Sequence, residues 1–114
     1  MDECLFCKIV NDEISSEIIF ENENVLAFRD LNPQAPTHIL VIPRKHISTI
    51  NELEAEDALL AGEILLTAKN LAKVENIDQD GVRTVFNCNK NGGQTVFHIH
   101  LHLLGGRKLN WPPG

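Results

Sequence analysis

Residues 92–104 read GGQTVFHIHLHLL and form the most informative stretch of the chain. Within it histidine alternates with isoleucine or leucine, and this period of two predicts a β-strand. In a strand, His98, His100 and His102 would project from one face, while the aliphatic residues between them would enter a core on the other face. The stretch therefore predicts a strand over residues 96–104 that carries three imidazoles on one side.

The rest of the chain supplies short apolar runs and one long helical pattern. Two short strands around Asn-Glu-Asn predict a β-hairpin, a third apolar run ends at a proline, and one long stretch has leucine and isoleucine at helical spacing. The predicted elements are a helical turn at 4–10, strands at 17–21, 25–29, 38–43 and 82–87, and a helix at 54–75. Their order predicts an α+β fold in a single domain, residues 1–114: a mostly antiparallel five-stranded sheet with one long helix and a short N-terminal helix.

Composition and charge exclude several classes of protein. The 114 residues fit one domain. Ten Lys and Arg against sixteen Asp and Glu give a net charge of −6, which argues against nonspecific binding to nucleic acid. The apolar runs are too short to span a membrane, and charged residues interrupt the first twenty positions, unlike a signal peptide. We expect a cytoplasmic protein that binds neither nucleic acid nor membrane.

Three imidazoles beside a glycine turn indicate phosphate chemistry. Along an extended strand the outer pair of rings would lie roughly 13 Å apart, so one metal ion could not take all three. Backbone N–H groups of a glycine-rich turn can hold phosphate oxygens, and Thr95 adds a hydroxyl donor. A neutral imidazole facing that phosphate is a nucleophile. We predict that His100 attacks phosphorus and that water then cleaves the phospho-imidazole intermediate.

Other histidines and cysteines allow more than one interpretation. The Cys4-x-x-Cys7 spacing suits a metal site completed by two histidines, but a redox pair or two buried cysteines would have the same spacing. Chemistry alone does not select which histidines would complete the site. His38 opens a predicted strand, where it is either partly exposed or hydrogen-bonded to an imidazole on a neighbouring strand.

Several ordered blocks resemble a known family. The triad with apolar residues between its histidines resembles the signature of the histidine triad superfamily of nucleotide hydrolases and transferases. The accompanying blocks lie at residues 4–9, 27–38, 41–48 and 92–95, followed by Trp-Pro-Pro-Gly at 111–114. Together they resemble the histidine triad nucleotide-binding (Hint) branch and cover essentially the whole chain.

The resemblance implies a role for each matching residue. His100 matches the nucleophile, His102 the histidine that contacts the phosphate, Thr95 a hydroxyl near the leaving group, and His38 the histidine that buttresses the nucleophile. Asp30 matches the carboxylate that binds the ribose hydroxyls. The remaining matches line the base pocket or lie beside the phosphate: Phe6, Phe28, Leu31, Asn87 and Gly93.

The resemblance also implies a metal and a partner. Some relatives hold zinc with two cysteines and two histidines that match Cys4, Cys7, His46 and His98, which implies a structural zinc with four protein ligands. Members form twofold dimers in which the long helix and a strand meet across the axis. The tail at Trp111 would then approach the partner's site.

The expected activity is hydrolysis of the P–N bond in purine nucleoside phosphoramidates through a nucleotidyl-histidine intermediate. A dinucleoside polyphosphate hydrolase is the alternative within the enzymes, although the Trp-Pro-Pro-Gly ending argues against it. A nucleotide-binding regulator with weak catalysis and a zinc-stabilised module without a ligand are the alternatives outside them. The structural module would leave the glycine turn that enters the triad unexplained.

Overall fold

The computed structural model describes residues 4–114 and confirms the α+β fold; residues 1–3 of the predicted domain lie outside the described part. The strands are β1 (Ile18–Glu21), β2 (Val25–Arg29), β3 (Thr37–Pro43), β4 (Val82–Phe86) and β5 (Leu101–Gly105), and the helices are α1 (Leu5–Val10), α2 (Ala58–Val74) and α3 (Asn89–Gly92). All neighbouring strands are antiparallel, in the order β1-β2-β3-β5-β4.

Strand β3 is buried along its whole length because helices cover both faces of the sheet around it. Ile39 and Val41 pack in one core with the buried face of α2. Leu40 and Ile42 pack in a second core with Phe6 and its neighbours on α1. His38 precedes Leu40 by two residues, so it points to the α1 side of the sheet. This side carries the candidate functional site.

The predicted hairpin forms and is tied to the long helix. The Asn22 side-chain oxygen accepts the N–H groups of Asn24 and Val25 at 2.8 and 2.9 Å, which closes the turn between β1 and β2. The side-chain amides of Asn22 and Asn24 donate to Glu63 on α2 at 2.9 and 3.0 Å. These contacts join the hairpin to the helix.

The long helix begins later than its sequence pattern suggests. We predicted a helix over 54–75, whereas residues Ala55–Asp57 form a 3₁₀ turn and α2 covers Ala58–Val74. The cause is a capping box, in which the Asp57 carboxylate accepts the Glu54 N–H at 2.9 Å and tightens the first turn. Among residues 4–114, no helix is both long and apolar enough to cross a membrane.

The triad strand is shorter than predicted. We expected a strand over 96–104, but β5 covers only Leu101–Gly105. The ladder pairs Val41 with Leu101, so Pro43 would stand opposite Ile99, where proline has no N–H to offer. The Ile99 N–H instead donates to Ile47 O at 2.7 Å, in the loop after β3. Residues 96–100 therefore follow a loop rather than a strand.

Candidate functional site

His100 is buried, and its hydrogen bond leaves one ring nitrogen free. Its Nδ1–H donates to the carbonyl of His98 at 2.8 Å, so Nε2 carries the lone pair. Burial lowers the pKa of His100 below its ordinary value, more strongly than the His98 carbonyl and Asp30 raise it. The imidazole is therefore neutral at pH 7, with Nε2 available as a nucleophile.

His38 and His102 are joined by a hydrogen bond of 2.9 Å between His38 Nε2 and His102 Nδ1. The Gln34 N–H donates to His38 Nδ1 at 3.0 Å, so the His38 proton must lie on Nε2 and be donated to His102. His102 then carries its own proton on Nε2. Burial, followed by the neighbouring His100 and His38, lowers the pKa of His102 to about 4, so this ring is a neutral N–H donor at pH 7.

This geometry changes the role expected for His38. The resemblance implied that His38 buttresses the nucleophile, but its hydrogen bond goes to His102, while His100 bonds to a backbone carbonyl. The sheet explains the pairing: Leu40 lies opposite His102, and His38 is two residues from Leu40 on the same face. The sequence left two alternatives open for His38, and the hydrogen bond to an imidazole on a neighbouring strand is the one that forms, with His102 as the partner.

A cavity of about 280 Å³ lies on the α1 side and is lined by both His100 and His102. It brings together most of the predicted binding residues, namely Phe6, Phe28, Asp30, Leu31 and Thr95. The lining does not include Asn87 or Gly93, which were expected beside the phosphate. His38 lies behind the wall, buried against His102.

The cavity has an apolar end and a polar end. Phe6 and Phe28 meet edge to face with ring centroids 5.4 Å apart, and Leu31 is 96% exposed at the surface. Asp30 Oδ1 accepts the Asn32 N–H at 2.8 Å, and Oδ2 lies 3.4 Å from His38 Nε2. The arrangement suits a flat apolar ring at one end and hydroxyl or phosphoryl groups at the other.

The glycine turn is ordered by its own hydrogen bonds. The N–H groups of Gly93 and Gln94 donate to the carbonyls of Lys90 and Asn89, both at 3.0 Å. We expected such N–H groups to hold phosphate oxygens, but these two are already engaged. Gly93 has a φ of +84° at the end of α3, which is the reason for glycine there. The Thr95 hydroxyl is exposed at the cavity and is the better candidate donor.

Gln94 holds this turn in place, and our reading of the sequence missed it. Its buried amide oxygen accepts the Asn89 N–H at 2.9 Å, and its amide nitrogen donates to the carbonyls of Ser48 and Val96 at 2.8 and 3.0 Å. One side chain thus links α3, the loop after β3 and the segment leading to the triad. The available signal was a glutamine between two glycines and a threonine, next to the triad.

The four residues expected to bind metal come together. The side-chain donor atoms of Cys4, Cys7, His46 and His98 all lie within 4.8 Å of one another. Cys7 Sγ is 3.3 Å from His46 Nδ1, Cys4 Sγ is 3.5 Å from His98 Nδ1, and the two Nδ1 atoms are 3.3 Å apart. Two sulfurs and two imidazole nitrogens at these separations could hold a metal ion.

The hydrogen bonds around this cluster fit a cation. His98 Nε2–H donates to Pro43 O at 2.8 Å, which directs the unprotonated Nδ1 toward the cysteines. Burial and the neighbouring Cys4 raise the pKa of Cys7 to about 11, so this sulfur would be a thiol at pH 7 without a positive charge nearby. A divalent cation would supply that charge. The donor set is the one that tetrahedral zinc uses.

This chain is similar over most of its length to proteins of one known family. A family model described as HIT domain matches residues 11–109. The purine nucleoside phosphoramidase of Escherichia coli K12 is 48% identical over 108 residues, covering 95% of this chain and 91% of that protein. An uncharacterized HIT-like protein of Synechococcus elongatus is 50% identical over 113 residues, or 99% of this chain and 98% of the relative.

The solved structures include a HIT family hydrolase from Legionella pneumophila. It superposes with a TM-score of 0.97 at 57% identity, covering 98% of this chain and 100% of that chain. Residues 11–109, which the family model matches, contain the whole triad and all five strands of the sheet. The chain belongs to the HIT family.

Proposed function

We propose that this protein hydrolyses the P–N bond of purine nucleoside phosphoramidates through a covalent nucleotidyl-histidine intermediate. The observation that carries the proposal is the neutral His100 imidazole, whose Nδ1–H is held by a carbonyl and whose Nε2 is free beside a cavity. A 48% identical relative is a purine nucleoside phosphoramidase, which supports this substrate class.

In the first step His100 Nε2 attacks phosphorus as the P–N bond breaks. The departing nitrogen takes up a proton from solvent and leaves as the amine, and the Thr95 hydroxyl, which lines the cavity, can contact it. The His102 Nε2–H donates to a phosphoryl oxygen, where negative charge accumulates in the transition state. His38 keeps His102 in the required tautomer by donating to its Nδ1.

In the second step water attacks phosphorus, the bond to Nε2 breaks, and the nucleoside monophosphate is released. His100 keeps its Nδ1 proton throughout, because the His98 carbonyl accepts it. The nucleotidyl-imidazole is therefore cationic, and a cationic ring leaves more readily than a neutral one would. The product proton passes to solvent, so the histidine returns to its starting state.

The cavity accounts for the rest of the substrate. Phe6 and Phe28 provide an apolar slot for the purine, with Leu31 at its rim. Asp30 offers a carboxylate to the ribose hydroxyls at the polar end. Asn87 and Gly93 stay as proposed neighbours of the phosphate, although they do not line the cavity.

The test compares His100→Ala with wild-type protein on an AMP-amine substrate. We expect turnover to fall by at least about 10³-fold, since the variant lacks a nucleophile, while AMP binding measured by calorimetry changes little. Wild-type protein quenched during turnover should carry one nucleotidyl group by intact-mass spectrometry, and the variant none. Turnover of diadenosine polyphosphate in preference to the AMP-amine would favour the alternative hydrolase. Tight AMP binding without turnover of either substrate would favour the regulator.

We further propose that the Cys4, Cys7, His46 and His98 cluster binds a structural zinc ion. All four positions of a tetrahedral ion would be filled by protein atoms, so no open position is left for substrate. When bound, zinc would supply the positive charge that keeps both sulfurs as thiolates.

We also propose the cytoplasmic location expected from the sequence, a reducing compartment in which such a pair of cysteines more often binds metal than forms a disulfide.

We propose that the protein is a homodimer formed through α2 and β4. Helix α2 packs chiefly on β3 and β5, and on its side of the sheet it leaves Phe86 of the edge strand β4 38% exposed. The outer face of α2 presents Leu59 and Leu66, which are 89% and 59% exposed. A second copy would cover this apolar surface and pair with the free edge of β4.

The C-terminal tail supports the same assembly. The Arg83 side chain on β4 donates to Asn110 O at 2.8 Å and lies over the Trp111 ring, 5.9 Å from its centroid. The tail therefore runs beside the proposed dimer edge, with an exposed tryptophan at its end. From this position Trp111 can approach the partner's cavity.

A further inference from the structure

A hydrogen-bonded path leads from the C-terminal end of β5 to the catalytic histidines. The last sheet pair joins Thr37 to Gly105, so the residues after β5 run beside the residues that precede β3. The approach is close: a Cβ on Gly106 would lie 2.9 Å from Pro36 Cβ. Glycine at 106, with a φ of +93°, is what allows the chain to turn there.

This turn delivers the Arg107 side chain to the backbone of Gln34. Arg107 Nε and Nη2 donate to the Gln34 carbonyl at 3.2 and 2.9 Å, and Nη1 donates to Lys108 O at 3.0 Å. Three donors of one guanidinium are thus used on two backbone carbonyls. A planar guanidinium that bonds at three nitrogens is held in one orientation.

Gln34 is the residue that sets the tautomer of His38. Its N–H donates to His38 Nδ1 at 3.0 Å, and His38 then donates to His102 Nδ1 at 2.9 Å. The carbonyl that accepts from Arg107 and the N–H that donates to His38 both belong to Gln34. Arg107 therefore acts by fixing the position of Gln34, and Gln34 fixes the direction of the His38–His102 hydrogen bond.

The loop around Gln34 has few other ties. Pro33 and Pro36 have no N–H, and the Gln34 side chain bonds only within the loop, to Asn32 O at 3.0 Å. Without Arg107, the Gln34 carbonyl would lose both of its hydrogen bonds to the segment that follows β5. A small shift of the Gln34 backbone would break the hydrogen bond from its N–H to His38 Nδ1. The ring proton of His38 could then move from Nε2 to Nδ1. His38 could then no longer donate to His102.

We propose that Arg107 is a positioning residue for catalysis, which acts through Gln34 to hold His38 in the tautomer that donates to His102. The proposal rests on the function proposed above, because it assigns His102 the Nε2–H that contacts the phosphoryl group. Arg107 does not line the cavity, and its hydrogen bonds go to Gln34 and Lys108 rather than to His38.

The experiment compares Arg107→Met with wild type and with Lys108→Met, a control that removes the neighbouring positive charge. We expect Arg107→Met to lower kcat by about tenfold through misplacement of the catalytic groups, with KM and AMP binding nearly unchanged. Arg107→Lys keeps the charge but offers one donor nitrogen, so its kcat should lie between those of Arg107→Met and wild type. Lys108→Met should match wild type.

The second readout is the ¹⁵N spectrum of the histidine rings. In wild type and Lys108→Met, His38 should carry its proton on Nε2, and in Arg107→Met a substantial population should carry it on Nδ1. An unchanged kcat overturns the proposal, and so does a lowered kcat with the His38 spectrum of wild type. If wild-type protein did not cleave phosphoramidates at all, the proposed function would fail, and the spectrum alone would then decide whether Arg107 controls His38. If Arg107→Met fails to fold, Arg107→Lys provides the same comparison.

Discussion

The roles that we propose for three histidines of one short segment differ because their ring nitrogens have different neighbours. His98 donates from Nε2 to Pro43 O, so its Nδ1 faces the cysteines. His100 donates from Nδ1 to the His98 carbonyl, so its Nε2 is free. His102 accepts at Nδ1 from His38, so its Nε2 carries a proton. The partner of one nitrogen thus decides whether the other has a lone pair, as a metal ligand or a nucleophile needs, or a proton to donate.

The low pKa of His102 makes stability depend on pH in a defined direction. Burial lowers this pKa to about 4 in the folded protein, whereas an exposed histidine titrates at about 6.5. The contribution of His102 to the free energy of unfolding is complete above pH 6.5. It is lost as the pH falls toward 4, because in that range the unfolded chain binds a proton at this histidine and the folded chain does not. We expect wild type to lose about 2 kcal/mol more than His102→Gln between pH 7 and 4.5, after allowing for partial exposure.

Urea unfolding of both proteins at the two pH values measures this difference. An NMR titration of the His102 ring gives an independent check, with a midpoint expected near 4. The other buried histidines of the site also have lowered pKa values, but they are common to both proteins. A His102 midpoint near 6.5 would contradict the assignment of a neutral donor.

At the scale of elements, α1 is a six-residue helix that cannot be stable alone. Phe6 and Ile9 anchor it in the core beneath the cavity. The Cys4 sulfur accepts the Cys7 N–H at 3.3 Å, so the first turn is capped by one of the cluster cysteines. This short helix and its N-cap residue therefore carry part of the cavity lining and half of the candidate metal site. Loss of metal should loosen both.

Removal of the two cluster cysteines should remove the metal. We expect about one zinc ion per chain in wild type purified without added zinc, and almost none in the double variant Cys4→Ser, Cys7→Ser. The free energy of unfolding should fall by about 2.7 kcal/mol when free zinc is 100 times its Kd, because binding no longer favours the folded state. Metal analysis and denaturant unfolding measure the two effects.

Cys88→Ser is the matched control, since Cys88 is a partly buried thiol outside the cluster. It should keep the zinc content and stability of wild type. A double variant that retained one ion per chain would show that the cluster is not the metal site.

At the scale of the whole molecule, the two edges of the sheet differ. Phe20 on edge strand β1 and Phe86 on edge strand β4 are 39% and 38% exposed. Phe20 pairs with Ala27 and Phe86 with Leu101, both in the α2-side core, so the two rings lie on the same face at opposite edges. The β4 edge also has the C-terminal tail beside it, since Arg83 donates to Asn110 O and lies over the Trp111 ring. This asymmetry indicates which edge meets a second copy.

Phe86→Glu should therefore shift the protein toward monomer, because a carboxylate would be buried in the interface without a partner. Phe20 has nearly the same exposure but lies on the β1 edge, so Phe20→Glu should leave the dimer intact. Sedimentation velocity over a range of concentrations measures both. Equal behaviour of the two variants would exclude the proposed interface.

Much of the architecture follows from local patterns in the sequence. The hairpin, the strand that ends at Pro43, the long helix and the five-stranded sheet were predicted, since each depends on the spacing of apolar residues near one another in the chain. The blocks around the triad likewise predicted the cysteines and histidines that the fold assembles into one cluster. The predicted ends of elements were wrong where the capping box before α2 and the missing N–H of Pro43 intervene, and the short helix α3 was not predicted.

Local spacing in the sequence indicates the chemistry that each residue can perform. Alternating imidazoles, a glycine turn and a pair of cysteines were all recognised from the sequence alone. Which atoms meet depends on strand register and loop closure. His38 lies 64 residues from His102, and Arg107 lies 73 residues from Gln34, so their pairing is created by the contact between β3 and β5. Tautomers, and with them the division of roles among identical side chains, follow from those long-range contacts, because a proton settles according to the neighbouring donor or acceptor, which no local pattern specifies.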